Sequence, residues 1–230
     1  MQYCAAILLA AGSGTRLDSS KTKQTYDLLG KSILRRSAQA LAQADCVHEL
    51  VVVVRKDEID FARKELSSLS LPITFVCGGE TRQESARIGF SHISLQATEV
   101  LIHDAARCLI TPAGIDSVVK AASECGAASA VSAVHDTVKT LDENGRIVST
   151  INRDMLCLAA TPQAFSVSLY KKAWQNALEN DLAVTDDNML VENLGISVAP
   201  IYLPENPKIT TREDLLYAEF LLKKREVSNV

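Results

Sequence analysis

Two hydrophobic rhythms alternate along the chain. Unbroken apolar runs at residues 3–10 (YCAAILLA), 49–54 (ELVVVV), 73–77 (ITFVC), 99–104 (EVLIHD) and 127–134 (AASAVSAV) show no polar face. That is the pattern of strands buried on both sides of a sheet. Between them, SILRRSAQALAQA, EIDFARKELSSL, RQESARIGFSHI and PAGIDSVVKAASE space their apolar residues as helices do. Pro112 suits the first turn of the last of these, where its missing N–H would have no partner anyway. The alternation predicts an α/β fold: a Rossmann-like, mostly parallel twisted sheet with helices on both faces and right-handed crossovers. Ligands of such sheets lie outside the carboxyl ends of the strands.

The rhythm breaks at 135–153, HDTVKTLDENGRIVSTINR, where two β-prone arms flank Asp142-Glu143-Asn144-Gly145. Asn-Gly between such arms predicts a hairpin projecting from the domain, either an edge ornament or a dimerisation arm, and its polar flanks favour the arm. A helix at about 166–179, a short helix at 186–194, a strand at 196–203 (ISVAPIYL) and a C-terminal helix at 212–225 complete the pattern. No repeat, low-complexity tract or linker divides the chain, so residues 1–230 are expected to form a single domain.

With 47% hydrophobic and 23% charged residues, the chain is globular rather than disordered. Its net charge of −4 argues against a general nucleic-acid binder, so any anion site must concentrate cations locally. Six cysteines are scattered without a Cys-x-x-Cys pair, which fits neither a disulfide framework nor a zinc site. No apolar run reaches membrane-spanning length, and the first residues lack a secretory leader. The expected setting is the reducing cytoplasm, away from membranes.

The first strand runs into ILLAAGSGTRLDSSKTKQ, a stretch with two glycines, an arginine and two lysines. Leu17 occupies the third glycine position of a dinucleotide fingerprint, and no Walker-type ending follows. Gly12 and Gly14 with Arg16 and Lys23 suit a loop whose backbone N–H groups and cations face phosphate oxygens. Other polar residues also follow strands: Gly78, Gly79, Arg82 and Ser85; Asp104 and Arg107; Asp136, Thr137 and Lys139; Lys208 and Thr210. Each has a bland alternative. Gly78-Gly79-Glu80 is either a ligand-facing turn or a plain strand-to-helix turn. Asp104 either holds a divalent ion or caps a helix, and Arg107 caps a helix or pairs with Asp104. His103 has no triad partners and reads as structural, and Cys108 has no evident activating base. Convergence of the strand ends on one rim favours the functional alternatives.

Taken together and in order, LAAGSGTRL with KTKQ, GGETRQES, IHDAARCLI, AVHDTVK, NRDMLCLAATPQAF, VTDDNMLVENLG and NPKITTREDLLYAE resemble the 2-C-methyl-D-erythritol 4-phosphate cytidylyltransferase family. The resemblance runs nearly end to end. It implies the nucleotide-diphospho-sugar transferase type of α/β fold, with CTP and 2-C-methyl-D-erythritol 4-phosphate as substrates and Mg²⁺ as cofactor. Arg16 and Lys23 would be catalytic. Ala10, Ala11, Gly12, Gly14, Gly79, Arg82, Ser85 and Asp104 would bind the nucleotide, with Asp104 near the metal. Thr137, Arg153, Thr185, Lys208 and Thr210 would hold the sugar phosphate, Thr137 and Arg153 being presented by the arm to the other subunit of a homodimer. Two departures touch loop geometry: Thr22 precedes Lys23 where proline is usual, and Cys108 follows Arg107 where proline is usual.

The implied reaction needs no general base. Its nucleophile, a phosphate monoester, is already ionised at neutral pH because its second pKa is about 6. The difficulty is bringing one polyanion to another for in-line attack on the α-phosphorus, which cations relieve. The rival readings are a ribitol-5-phosphate cytidylyltransferase on the same scaffold and a CTP-binding module without turnover.

Overall fold

The computed structural model describes residues 2–12 and 22–228. In chain order its elements are β1 (Cys4–Leu9), β2 (Asp27–Leu28), β3 (Lys31–Ser32), α1 (Ile33–Ala42), β4 (Val47–Val54), α2 (Ile59–Leu66), β5 (Ile73–Cys77), α3 (Arg82–Phe90) and β6 (Glu99–Asp104). There follow α4 (Pro112–Cys125), β7 (Ala127–Ala133), β8 (Lys139–Leu141), β9 (Ile147–Thr150), β10 (Cys157–Ser166), α5 (Val167–Glu179), α6 (Asp187–Glu192), β11 (Ala199–Tyr202) and α7 (Arg212–Ser228). Seven of the strands form one sheet in the order β11-β7-β10-β6-β1-β4-β5. β1 pairs in parallel with both β4 and β6, β4 with β5, and β7 with β11. The sheet is mostly parallel, as the alternation predicts.

The apolar runs bury both their faces, and successive residues point to opposite layers. Ala6, Leu8, Leu50, Val52 and Leu101 enter one layer with α1, α2 and α4. Ile7, Leu9, Val51, Val53, Val100 and Ile102 enter the other with α3, α5 and α6. The helices begin where short polar side chains replace missing backbone acceptors. Ser32, Thr81, Thr111 and Ser166 each accept a backbone N–H from three residues on, at the starts of α1, α3, α4 and α5. Pro112 opens α4, and Gly126 closes it at φ 87°, a left-handed conformation that glycine adopts without steric cost.

Strand β10 departs from the sequence pattern, which left this stretch unassigned. It runs antiparallel between β6 and β7, as the third strand from one edge. Its signal is masked by Thr161, Pro162 and Gln163, since proline within an apolar run argues against a central strand. The ladder absorbs the proline at a register irregularity between Ala159 and Gln163. The ISVAPIYL strand shortens to β11.

The hairpin forms as expected, with β8 and β9 paired antiparallel in a two-stranded sheet of their own. Because β10 is reversed, Cys157 at its start pairs with Ala133 at the end of β7. The arm therefore leaves and re-enters the sheet at the rim formed by the carboxyl ends of the parallel strands. Among the described residues, no helix is long and apolar enough to cross a membrane.

Candidate functional site

A cleft of about 480 Å³ opens at that rim. Ala11 and Gly12 follow β1, Lys23 and Gln24 lie on the short turn beyond, and Gly79, Glu80, Thr81, Arg82 and Ser85 lie where the chain passes from β5 into α3; all of these line it. Asp104 ends β6, and Lys208 and Thr210 precede α7 on the opposite wall. Backbone geometry shapes the β5–α3 turn. A Cβ at Gly78 would stand 2.5 Å from Ala11 Cβ and 2.8 Å from Ser85 Oγ, so only glycine lets the turn approach this closely. The Gly79 N–H donates to Ser85 Oγ at 3.1 Å.

The polar groups form a chain of alternating charge. Lys208 Nζ donates to Asp104 Oδ2 at 2.7 Å, and Arg82 Nε donates to Asp104 Oδ1 at 3.2 Å. Arg82 Nη1 reaches Asp187 Oδ2 at 2.8 Å, and the Tyr170 hydroxyl donates to Asp187 Oδ1 at 2.5 Å. Burial pushes the Asp104 carboxyl up, but Arg82 and Lys208 outweigh it and hold the group well below the usual carboxylate range. For Arg82, burial acts to lower the pKa, and the Asp187 and Asp104 charges override it, fixing the positive charge. Asp187 is raised by burial, with Arg82 and Tyr170 offsetting part of the effect.

Lys208 reaches this position through ties between distant segments. Asn206 Nδ2 donates to the Thr161 carbonyl at 2.8 Å, and the Ile209 N–H donates to the Ala106 carbonyl at 2.8 Å. Together they stitch the segment before α7 onto β10 and the end of β6. Thr211 and Asp214 cap α7 reciprocally: Asp214 N–H donates to Thr211 Oγ1, and Asp214 Oδ2 accepts from Thr211 N–H. Thr210 Oγ1 donates to the same carboxylate at 2.6 Å. Beneath the rim, Thr161 Oγ1 accepts from the Asp104 N–H at 2.9 Å and lies 3.1 Å from His103 Nδ1. His103 is fully buried, and burial lowers its pKa to about 4, so the ring is neutral near pH 7. It supports the strand end rather than facing the cleft. Arg107 neither caps a helix nor pairs with Asp104 in hydrogen-bonding distance; its guanidinium donates to the carbonyls of Asn206 and Ala159.

Of the residues singled out in the sequence, the cleft gathers Ala11, Gly12, Lys23, Gly79, Arg82, Ser85, Asp104, Lys208 and Thr210. Gly14 and Arg16 lie outside the described residues. Ala10 is fully buried in the α1 layer, with its N–H bonded to the Val53 carbonyl, and does not line the cleft. Thr137 and Arg153 are exposed at the base of the arm, where the Arg153 guanidinium donates to the His135 carbonyl. Thr185 is exposed before α6, its hydroxyl donating to Met189 Sδ at 3.0 Å. None of these three lines the cleft of its own chain. The residues missed are Tyr170, Asp187, Gln163 and Asn206. Gln163 and Asn206 fall within the TPQAF and NPKITT stretches without being singled out, and the hint of Asp187 was the pair of acids in VTDDNM, which opens a helix so short that it reads as capping.

No group of three or more His, Cys, Asp or Glu able to hold a metal occurs among the described residues. Among the described residues the cleft is lined by two acids, Glu80 on the β5–α3 turn and Asp104 at the end of β6, and both Asp104 oxygens are taken by cations. This donor set fits a hard cation carried in on substrate phosphates, with the protein adding one carboxylate directly or through water. It does not fit a metal caged by protein.

Comparison with known proteins identifies relatives of the chain. Residues 4–224 match the 2-C-methyl-D-erythritol 4-phosphate cytidylyltransferase family. The chain is 37% identical over 223 residues to the enzyme of that name from Synechococcus elongatus, covering 96% of each chain. It is 36% identical over 223 residues to the one from Alkaliphilus oremlandii, covering 95% of this chain and 94% of the other. The crystal structure of 4-diphosphocytidyl-2C-methyl-D-erythritol synthase from Anaerococcus prevotii superposes with a TM-score of 0.87 at 28% identity, covering 96% of both chains.

Proposed function

The chain belongs to the 2-C-methyl-D-erythritol 4-phosphate cytidylyltransferase family, and we propose that it performs the family's reaction in the cleft bounded by Lys23, Arg82, Asp104 and Lys208. It joins 2-C-methyl-D-erythritol 4-phosphate to CTP, forming 4-diphosphocytidyl-2-C-methyl-D-erythritol and releasing pyrophosphate. The observation that carries the site assignment is the convergence of three cations from separate segments on one rim of an acidic protein.

Electrostatics explains why cations are needed there. Two like unit charges about 4 Å apart repel by about 4 kcal/mol at an effective dielectric of about 20, and each substrate carries several. Lys23, on the β1 side of the cleft, is placed to meet the triphosphate and the charge that builds as pyrophosphate leaves. Arg16, in the same loop, is assigned the same task from the family pattern. Ala11, Gly12, Gly79 and Ser85 form the close-packed wall for the cytidine, Ala10 backing it from the core, while Gly14 belongs to the phosphate loop. Lys208 and Thr210 face the phosphate of the second substrate. Mg²⁺, bound to triphosphate oxygens with Asp104 as the protein ligand, would neutralise charge on the transferring and leaving groups.

Arg153 and Thr137 enter the site from a second copy in this reading, where Thr185, Lys208 and Thr210 help hold the sugar phosphate. The arm exposes Leu141, Ile147, Val148 and Met155, with Ile147 67% and Met155 82% accessible. A neighbouring copy that covers this apolar surface makes the chain a homodimer with self-complementary arms. Six unpaired thiols, three of them exposed, suit a reducing cytoplasm.

A pyrophosphate-release assay tests the assignment. Turnover is expected with CTP and 2-C-methyl-D-erythritol 4-phosphate, and little with UTP, ATP or ribitol 5-phosphate. Faster turnover of ribitol 5-phosphate would overturn the substrate assignment. Tight CTP binding with no pyrophosphate formed would mark a sensor instead.

A further inference from the structure

Asp187 is a charged group beside the cleft that no part of the reaction uses. It is 2% exposed, lies outside the cleft wall, and has both oxygens engaged, one by Arg82 and one by Tyr170. Its N–H donates to Gln163 Oε1 at 3.0 Å, and Gln163 Nε2 donates to Asp186 Oδ2 at 2.9 Å, so the start of α6 is bolted to β10. Tyr170 is fully buried. Its ring stacks on Phe165 at 5.1 Å and meets Phe90 and Trp174 edge-on, which leaves the hydroxyl a single orientation. A rigid path thus runs from the aromatic core through Tyr170 and Asp187 to Arg82, which does line the cleft.

The two carboxylates on Arg82 differ in kind. Asp104 lies on the cleft wall and divides itself between Arg82 and Lys208, both of which an incoming polyanion attracts. Asp187 is buried outside the cleft wall and, among the described residues, shares its charge with no other cation. An arginine held by Asp104 alone would be released whenever Asp104 turned to substrate or metal, and ordering its long side chain again costs conformational entropy.

We propose that Asp187, locked by the Tyr170 hydroxyl, is a positioning residue that keeps the Arg82 guanidinium aimed into the cleft for the nucleotide while Asp104 and Lys208 exchange partners. The inference rests on the reading that Arg82 serves the CTP half of the site. Ion pairing for stability is the alternative, and a buried pair is weak grounds for that, because desolvation offsets much of the attraction.

The test uses the full-length chain and four variants: Arg82→Ala, Asp187→Asn, Tyr170→Phe and the double variant Arg82→Ala/Asp187→Asn. For each, KM for CTP, KM for the sugar phosphate, kcat and Tm are measured. Asp187→Asn should raise KM for CTP about tenfold or more, the scale of a lost hydrogen bond between charged groups, with KM for the sugar phosphate unchanged. Tyr170→Phe should move KM for CTP in the same direction by a smaller factor, and it keeps the ring packing should Asp187→Asn fold poorly. In the Arg82→Ala background, Asp187→Asn should leave KM for CTP where it is. Effects that multiply, or a fall in Tm and kcat with KM for CTP unmoved in both Asp187→Asn and Tyr170→Phe, would overturn the positioning role. A normal KM for CTP in Arg82→Ala would instead remove Arg82 from the nucleotide site, and the positioning role with it.

Discussion

Adjacent residues at the end of β6 show how burial divides labour between neighbours. Asp104 faces the cleft and stays ionised because two cations outweigh its burial. His103 faces the core, where nothing offsets burial enough to hold a proton, and its pKa falls to about 4 from 6.5. The unfolded chain therefore binds this proton between pH 6.5 and 4 while the folded chain does not. His103 should make stability fall as pH drops through that window, by at most about 1.4 kcal/mol per pH unit. Asp187 acts with opposite sign, since a raised carboxyl pKa favours the fold as pH falls. An NMR titration of the His103 ring separates the two: its midpoint should lie near 4, and a midpoint near 6.5 would refute the buried neutral ring. Single charged residues at strand ends, Lys23, Arg82, Asp104 and Lys208, were legible in the sequence because topology alone brings strand ends together. Asp187 was not, because its partner Arg82 lies 105 positions away and nothing local records the contact.

The helices and parallel strands were legible for a similar reason: each has an unbroken periodicity and a local start signal. β10 was not, since its central Thr-Pro-Gln reads as a break, and only the neighbouring strands reveal that the ladder continues across it. The hairpin was readable from Asn144-Gly145 alone; Gly145 sits at φ 75°, as such turns require. What the hairpin does follows from where its flanks lie. Arg153 is held by the His135 carbonyl across the arm's base, exposed and away from its own cleft. Arg153→Ala should raise KM for 2-C-methyl-D-erythritol 4-phosphate about tenfold or more and leave KM for CTP nearly unchanged. Steady-state kinetics with each substrate varied checks this, and equal weakening of both would count against the arm's assignment.

For the molecule as a whole, the proposed homodimer would make each active site draw on two chains. Lys23→Ala should cut kcat at least about a hundredfold, the scale for one lost charge-stabilising donor, and Arg153→Ala impairs the other substrate. Mixed and reassociated, these two defective variants should regain activity. Each heterodimer then contains one site with both lysine and arginine intact, so recovery should approach about a quarter of wild type under random pairing, with CTP saturating and the sugar phosphate well below the KM of the Arg153→Ala variant. Recovery no greater than the average of the two parents would mean that each chain works alone.

The reversal of β10 has a consequence for how this protein can change. Because the excursion from β7 begins and ends at the same rim, its length and composition are independent of the registers inside the sheet. In the proposed dimer, residues added to or removed from the hairpin would alter what is delivered to a neighbour's substrate without displacing any rung of the ladder. Partner contact and second-substrate choice can therefore drift together, in one short cassette, while the nucleotide half stays under the constraints of a packed interior.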